Sequence, residues 1–179
     1  MSKKMILALA LVALLLVGSV SLTFADSSWL SGTTDQKLND LAKIQPGLGT
    51  VMIEYAYRMS SLYYAAQAGN WGMAAYQLKE AVEIQEVGET TRPGKAPLLV
   101  AFEKKSLRPL AKDIVNKSWY SFQQDFKAAV KGCNACHAAT GYPFITYQLP
   151  DKAPVDAKLN NNVSVSRSRL TALLKDVLE

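Results

Sequence analysis

The chain has 179 residues, 49% of them hydrophobic and 20% charged, with a formal net charge of +5, two cysteines and one histidine. That length suits one domain once a leader is set aside. Two cysteines and one histidine are too few for a four-ligand zinc site, and so modest a charge is no argument for nucleic-acid binding.

Residues 1–25 carry the pattern of a secretory signal peptide. Lys3 and Lys4 form a basic start, and Met5 to Val20 is an apolar run. Thr23-Phe24-Ala25 puts small residues at the minus-three and minus-one positions, so cleavage is expected before Asp26. The run is slightly short for a membrane span, which makes an uncleaved anchor the weaker alternative. Removing Lys3 and Lys4 lowers the basic count from 20 to 18 against 15 acids, so the mature chain of 154 residues (179 minus 25) carries +3.

Residues 26–48 are polar and turn-rich and predict a leader with one short helix near Asp35 to Ile44. From residue 49 the pattern is helical. Thr50 to Ala68 carries a stripe of Met52, Tyr55, Met59, Leu62 and Ala66, in steps of three and four. Gly69 ends it, and Asn70 is a good N-cap for the next helix. That helix is predicted over Trp71 to Gly88, with Trp71, Ala75, Leu78, Val82 and Gln85 on one face. Glu80, Glu83 and Glu86 lie on another face and read as solvated. Thr90 to Pro97 is a linker. Pro97 to Ser106 and Arg108 to Lys117 make a third helical arm, which Pro109 starts afresh or kinks.

Ser118 is placed to cap a fourth helix whose stripe is Trp119, Phe122, Phe126, Ala129, Cys133 and Cys136. Gly141 and Pro143 stop it. Near its end stands Cys133-Asn134-Ala135-Cys136-His137, the C-x-x-C-H pattern of covalent c-type haem attachment. On a helix the two thiols sit about one turn apart and can add to the two vinyl groups of one porphyrin. Cys133 and His137 are an i, i+4 pair, so the imidazole shares their face and can reach the iron. Three other readings compete. A dithiol redox pair expects a βαβ setting that this pattern lacks. Half a zinc site lacks further ligands. A disulfide closing so short a loop removes little chain entropy. Two haem propionates would bring the mature charge close to neutral.

After Pro150 the composition changes. Asp151 to Val163 reads as a linker around Asn160-Asn161-Asn162, and Ser166 to Leu178 as a short amphipathic helix carrying Leu170, Leu173, Leu174 and Val177. This helix can dock on its own domain, meet a partner or lie on a membrane. No segment alternates as a strand would. The expected architecture is all-α: an antiparallel four-helix bundle over 49–150 with a C-terminal haem-binding helix, followed at 151–179 by a linker and an extra short helix.

With this motif at the end of a fourth helix, the chain resembles the class II c-type cytochromes, the four-helix-bundle group that holds cytochrome c-prime and its Met-ligated relatives. The resemblance covers roughly residues 48–150. The stretches Ala68-Gly69-Asn70-Trp71-Gly72-Met73-Ala74-Ala75-Tyr76 and Cys133 to Phe144 also resemble a set of exported bacterial cytochromes. The resemblance implies one covalently attached haem c, with Cys133 and Cys136 as thioether links and His137 as proximal ligand. It departs from cytochrome c-prime at Ala138-Ala139-Thr140-Gly141, where that group carries an aromatic and a basic residue, and in the 42 residues that follow the motif.

With one histidine in the chain, the opposite face of the iron falls to methionine or stays open. Met59 is the leading candidate and Met52, seven residues earlier on the same seam, the next. Both can instead be core filler, and Met73 or a lysine is a further option. Arg58 can meet a propionate or point to solvent. The expected function is periplasmic electron transport with redox partner proteins, with Lys104, Lys105, Lys127 and Lys131 available to guide docking. The alternative is diatomic gas (NO or CO) binding at an open distal site. Haem catalysis would want a distal acid–base group, and no histidine remains for it, so no enzyme activity is expected. A non-haem interaction protein is the remaining class. A homodimer is an open assembly option, nucleic acid is not expected, and membrane contact is expected only if the signal or the C-terminal helix acts as an anchor.

Overall fold

The structure is a computed structural model and describes residues 30–154 and 163–179. The signal peptide, the start of the leader and the asparagine-rich centre of the C-terminal linker lie outside the described residues. Those described are helical or irregular, with no strand among them. The chain divides into two compact units at Ile44/Gln45. In the first, α1 runs Thr34–Lys43. It starts with a capping box in which Thr33 Oγ1 accepts from the Gln36 amide and Gln36 Oε1 accepts from the Thr33 amide. No α1 residue is buried, so local capping rather than packing defines this helix.

In the second unit α2 spans Leu48–Gln67 and α3 spans Trp71–Thr91, and these two form the most extensive helix pair. The turn between them follows from Gly69 at φ +73°, where a side chain would be strained. The Gly69 and Asn70 amides close back on the Ala66 and Ala65 carbonyls, and Asn70 then caps α3 by accepting from the Met73 amide at 3.1 Å. Gly88 does not end α3 as its composition suggests. A Cβ there would stand 2.9 Å from Leu48 Cδ2 and 3.3 Å from Val51 Cγ1, so this glycine permits close packing on α2 while the helix continues to Thr91.

The third arm comprises α4 (Ala96–Phe102), a π-helical turn (Glu103–Leu107) and α5 (Arg108–Asn116). Pro109 lies in the first turn of α5, so it starts the second piece of the arm as expected, and the π-helical turn is what precedes that start. The preceding turn widens, so that the Arg108 amide bonds to the Glu103 carbonyl five residues back, and the wider loop relieves the proline's clash with the preceding turn. After a left-handed Lys117 at φ 53°, α6 runs Trp119–Ala139. Ser118 holds the N-cap position, but its hydroxyl donates to Ser121 Oγ at 2.9 Å and makes no cap bond.

Phe122, Phe126, Met59, Leu62, Leu78, Leu107, Leu110 and Ile114 fill the core, each at most 2% exposed. Burying side chains of this kind stabilises by about 1.5–3 kcal/mol each. The C-terminal segment joins the same core. It forms α7 (Arg167–Leu173) and α8 (Lys175–Leu178), broken at Leu174 where one helix was expected. The break lets Leu170, Leu174 and Val177 all turn inward. Lys117 Nζ donates to the Val165 carbonyl and Arg167 to Asn116 Oδ1, both at 2.7 Å. Of its three sequence-based options, this helix takes the dock on its own domain. No helix among the described residues is long and apolar enough to cross a membrane.

Candidate functional site

Cys133, Cys136 and His137 occupy the last turns of α6, and all three are half-buried. The helix closes immediately afterwards because Gly141 takes φ +92°. The Gly141 amide bonds to the Ala138 carbonyl and the Tyr142 amide to the His137 carbonyl, at 3.2 and 2.9 Å. This paired C-terminal closure turns the chain back along α6. Residues 142–150 then form a strap over the motif.

The strap makes five polar attachments, three of them to the motif. His137 Nδ1 lies 2.9 Å from the Ile145 carbonyl oxygen. A carbonyl only accepts, so Nδ1 carries the proton and Nε2 of the neutral ring keeps its lone pair for a metal. Asn134 Nδ2 donates to the Tyr147 carbonyl at 3.1 Å, and the Tyr147 amide donates to Asn134 Oδ1 at 2.7 Å. Further along, the Tyr147 hydroxyl meets Ser60 Oγ at 3.1 Å, and the Tyr64 hydroxyl donates to the Pro150 carbonyl. Ser60 gives its own proton to the Ala56 carbonyl, so Tyr147 is the donor in their contact.

The thiols are not joined to each other. Burial above all, and then the neighbouring Cys136, push the Cys133 thiol up to about 12. A nucleophilic or redox-active dithiol needs a depressed value to populate the thiolate, so this environment is the opposite of what exchange chemistry uses. Tyr55 of α2 stands beside Cys133. It is 6% exposed, its edge meets Phe102 at 6.5 Å, and its hydroxyl has no hydrogen-bond partner. Burial, then Cys133, Glu103 and Tyr147, hold this phenol well above the usual tyrosine range. An orphaned buried hydroxyl costs about 1–3 kcal/mol. Such a group next to two unpaired thiols fits a site whose remaining partner is a prosthetic group.

Helix register locates the methionines. Tyr63 of α2 packs on Trp119, Phe122 and Phe126 of early α6, with ring centroids 5.4, 6.4 and 4.9 Å away. Eight residues earlier Tyr55 reaches Cys133, so the two helices run antiparallel. One turn earlier still, Met52 comes level with Cys136 and His137. Met52 is half-buried, whereas Met59 is 1% exposed within the core. Seven residues separate them, about 10 Å along the helix axis. The structure therefore brings Cys133, Cys136 and His137 together on one turn and a half of α6, with Met52 at their level and Met59 two turns deeper. Met73 is half-buried on α3 and accepts a long contact from Gln77 Nε2 at 3.5 Å.

Arg58 does not simply point to solvent. It pairs with Glu54 at 3.0 Å and with Glu80 at 3.7 Å, and donates to Gln77 Oε1 at 3.4 Å. Glu80 is accordingly engaged rather than simply solvated. Lys104, Lys105, Lys127 and Lys131 are exposed. Sequence reasoning missed Asn134, Ile145, Tyr147 and Ser60. Asn134 had a weak signal, being a polar residue inside the motif. Ile145 had none, because it acts through its backbone carbonyl.

No protein-family model matches this chain, no curated protein matches it in sequence, and no solved structure matches it in fold.

Proposed function

We propose that this protein is a periplasmic c-type cytochrome that carries electrons through one covalently attached haem c, built on an antiparallel four-helix arrangement of the class II kind. The observation that carries the reading is the pairing of two unjoined thiols one helical turn apart with an imidazole whose Nδ1 is held by the Ile145 carbonyl. That bond leaves Nε2 as the metal-facing nitrogen, as a proximal ligand requires.

When bound, haem supplies a one-electron iron couple. The chain's residues supply the rest. Cys133 and Cys136 would anchor the porphyrin edge through thioether bonds. His137 would ligate on the proximal side. On the opposite side the register favours Met52 over Met59, because Met52 is level with His137 while Met59 already fills the core. Tyr55 and Phe102 would wall the pocket against water. A closed, preorganised site changes little between redox states, which suits a carrier whose partners are other periplasmic proteins.

Two experiments test this. The chain is exported in cells carrying cytochrome c maturation machinery, then denatured, separated and stained for haem. Label retained on wild type and lost from the Cys133→Ala/Cys136→Ala double variant is expected; haem that leaves wild type on denaturation would sink the assignment. Optical spectra then address the ligands. His137→Ala should change the iron spectrum. Met52→Ala should abolish a weak near-infrared sulfur-to-iron band and admit carbon monoxide, whereas loss of that band only in Met59→Ala would return the ligand to the deeper position. A high-spin wild type that binds carbon monoxide readily would replace the carrier by a gas-binding protein.

A further inference from the structure

The strap sits where it can control His137, and one side chain within the motif makes two of its attachments. Asn134 is the first variable residue of the C-x-x-C-H motif. Its amide makes both halves of a reciprocal pair with the Tyr147 backbone, at 3.1 and 2.7 Å. Ile145, whose carbonyl accepts from His137 Nδ1, is two residues from that pair. Two residues of extended chain span at most about 7 Å, so fixing Tyr147 fixes the Ile145 carbonyl closely. Tyr147 is fixed a second time by its hydroxyl on Ser60 of α2. Ile145 itself is 47% exposed and Phe144 is 78% exposed, so apolar packing does little to hold this stretch. Tyr147 and Leu149 pack against the core further along, so between them and the motif the hydrogen bonds set where the Ile145 carbonyl lies.

We propose that Asn134 and Tyr147 are positioning residues: they clamp the strap so that the Ile145 carbonyl fixes the tautomer and orientation of the His137 ring. This rests on the reading of His137 as the proximal ligand for its effect on iron, but the clamp's effect on the ring is independent of haem. A carbonyl accepting from Nδ1–H increases the electron donation of Nε2. It favours oxidised iron and holds the reduction potential down. Releasing the clamp removes that donation, and outer partners of this kind are worth about 10–100-fold in the ligand's function.

Asn134→Ala removes the whole reciprocal pair, while Ser60→Ala removes only the outer hydroxyl contact and leaves the motif untouched. Two readouts are compared in wild type and both variants. The first is the His137 tautomer in the full chain, from imidazole nitrogen shifts. Wild type should hold the proton on Nδ1, and Asn134→Ala should give a mixture with Nε2–H. The second is the midpoint potential of the haem-loaded protein, which Asn134→Ala should raise. A tenfold shift in the redox equilibrium is about 59 mV for one electron. Ser60→Ala should move both readouts the same way by less, and it decides the question if Asn134→Ala does not fold. Unchanged tautomer and potential in a folded variant overturn the clamp. If no haem attaches to wild type, the cytochrome reading falls, and the tautomer alone then decides the clamp: a shift supports it and an unchanged ring overturns it.

Discussion

The two halves of α6 carry one continuous apolar stripe but live in different surroundings. In the first half Phe122, Phe126 and Ala129 are buried, roofed by Tyr63 and Trp119 in a cluster of aromatic contacts. In the second half the stripe continues through Cys133 and Cys136, yet both are only half-buried. There the neighbours are the Tyr55–Phe102 pair, whose tyrosine hydroxyl has no partner, and a hydrogen-bonded strap. A seam that keeps its period while losing its burial has apolar surface that the described residues do not cover fully. The sealed half is organised for stability, and the open half is where we propose that haem binds.

That contrast can be tested by substitution. The largest effect is expected in the sealed half: Phe122→Ala should cost about 3–5 kcal/mol in denaturant unfolding, with haem attachment at the other end retained in whatever protein folds. Equal loss from a truncation at the motif end would erase the distinction. The methionines sharpen it. Met59→Ala should cost about 2–5 kcal/mol because it leaves a core cavity. Met52→Ala, at a half-buried position, should cost less in the same unfolding experiment while producing the spectral change described above. The reverse ranking would place the proposed haem pocket two turns deeper.

The boundary between the halves offers a smaller perturbation. A Cβ on Gly132 would stand 3.1 Å from Phe102 Cε2 and 3.2 Å from Ser106 Oγ. Gly132→Ala should therefore push the π-helical turn off α6, at about 1–3 kcal/mol for overpacking; an unaltered midpoint would mean that the turn yields freely. The mildest effect concerns pH and belongs to the sealed half. Burial, followed by the adjacent Asp125 carboxyl, raises Asp113 from 3.8 to about 7. A carboxyl raised in the folded state binds its proton more tightly there than in the unfolded chain, so stability falls as pH rises from about 4 through about 7. Wild type should melt lower at pH 8 than at pH 5, and Asp113→Asn should flatten that slope. A slope that survives the substitution assigns it to another group.

Much of this was legible beforehand because it is local chemistry. The turn at Gly69-Asn70, the stop at Gly141 and the spacing of Cys133, Cys136 and His137 on one helical face depend on residues within a few positions of one another. Stripes read from period alone identified the buried sides of α2 and α6 for the same reason. Errors arose where a residue's role depended on a distant neighbour. Gly88 read as a helix stop, but its use is to let Leu48 approach. Arg58 had no visible partner until α3 brought Glu80 beside it.

The sequence by itself determined an all-helical chain, the face on which the motif sits and the identity of the groups it presents, since helical period and side-chain chemistry are properties of short segments. Only the tertiary structure decided which methionine stands level with His137. Met52 and Met59 differ by two helical turns on the same stripe, so periodicity cannot separate them, and the answer lies in how far α2 slides against α6. The strap was likewise undetermined, because the Ile145 carbonyl that orients His137 is a backbone group which every residue carries; only the path of the folded chain decides which carbonyl arrives.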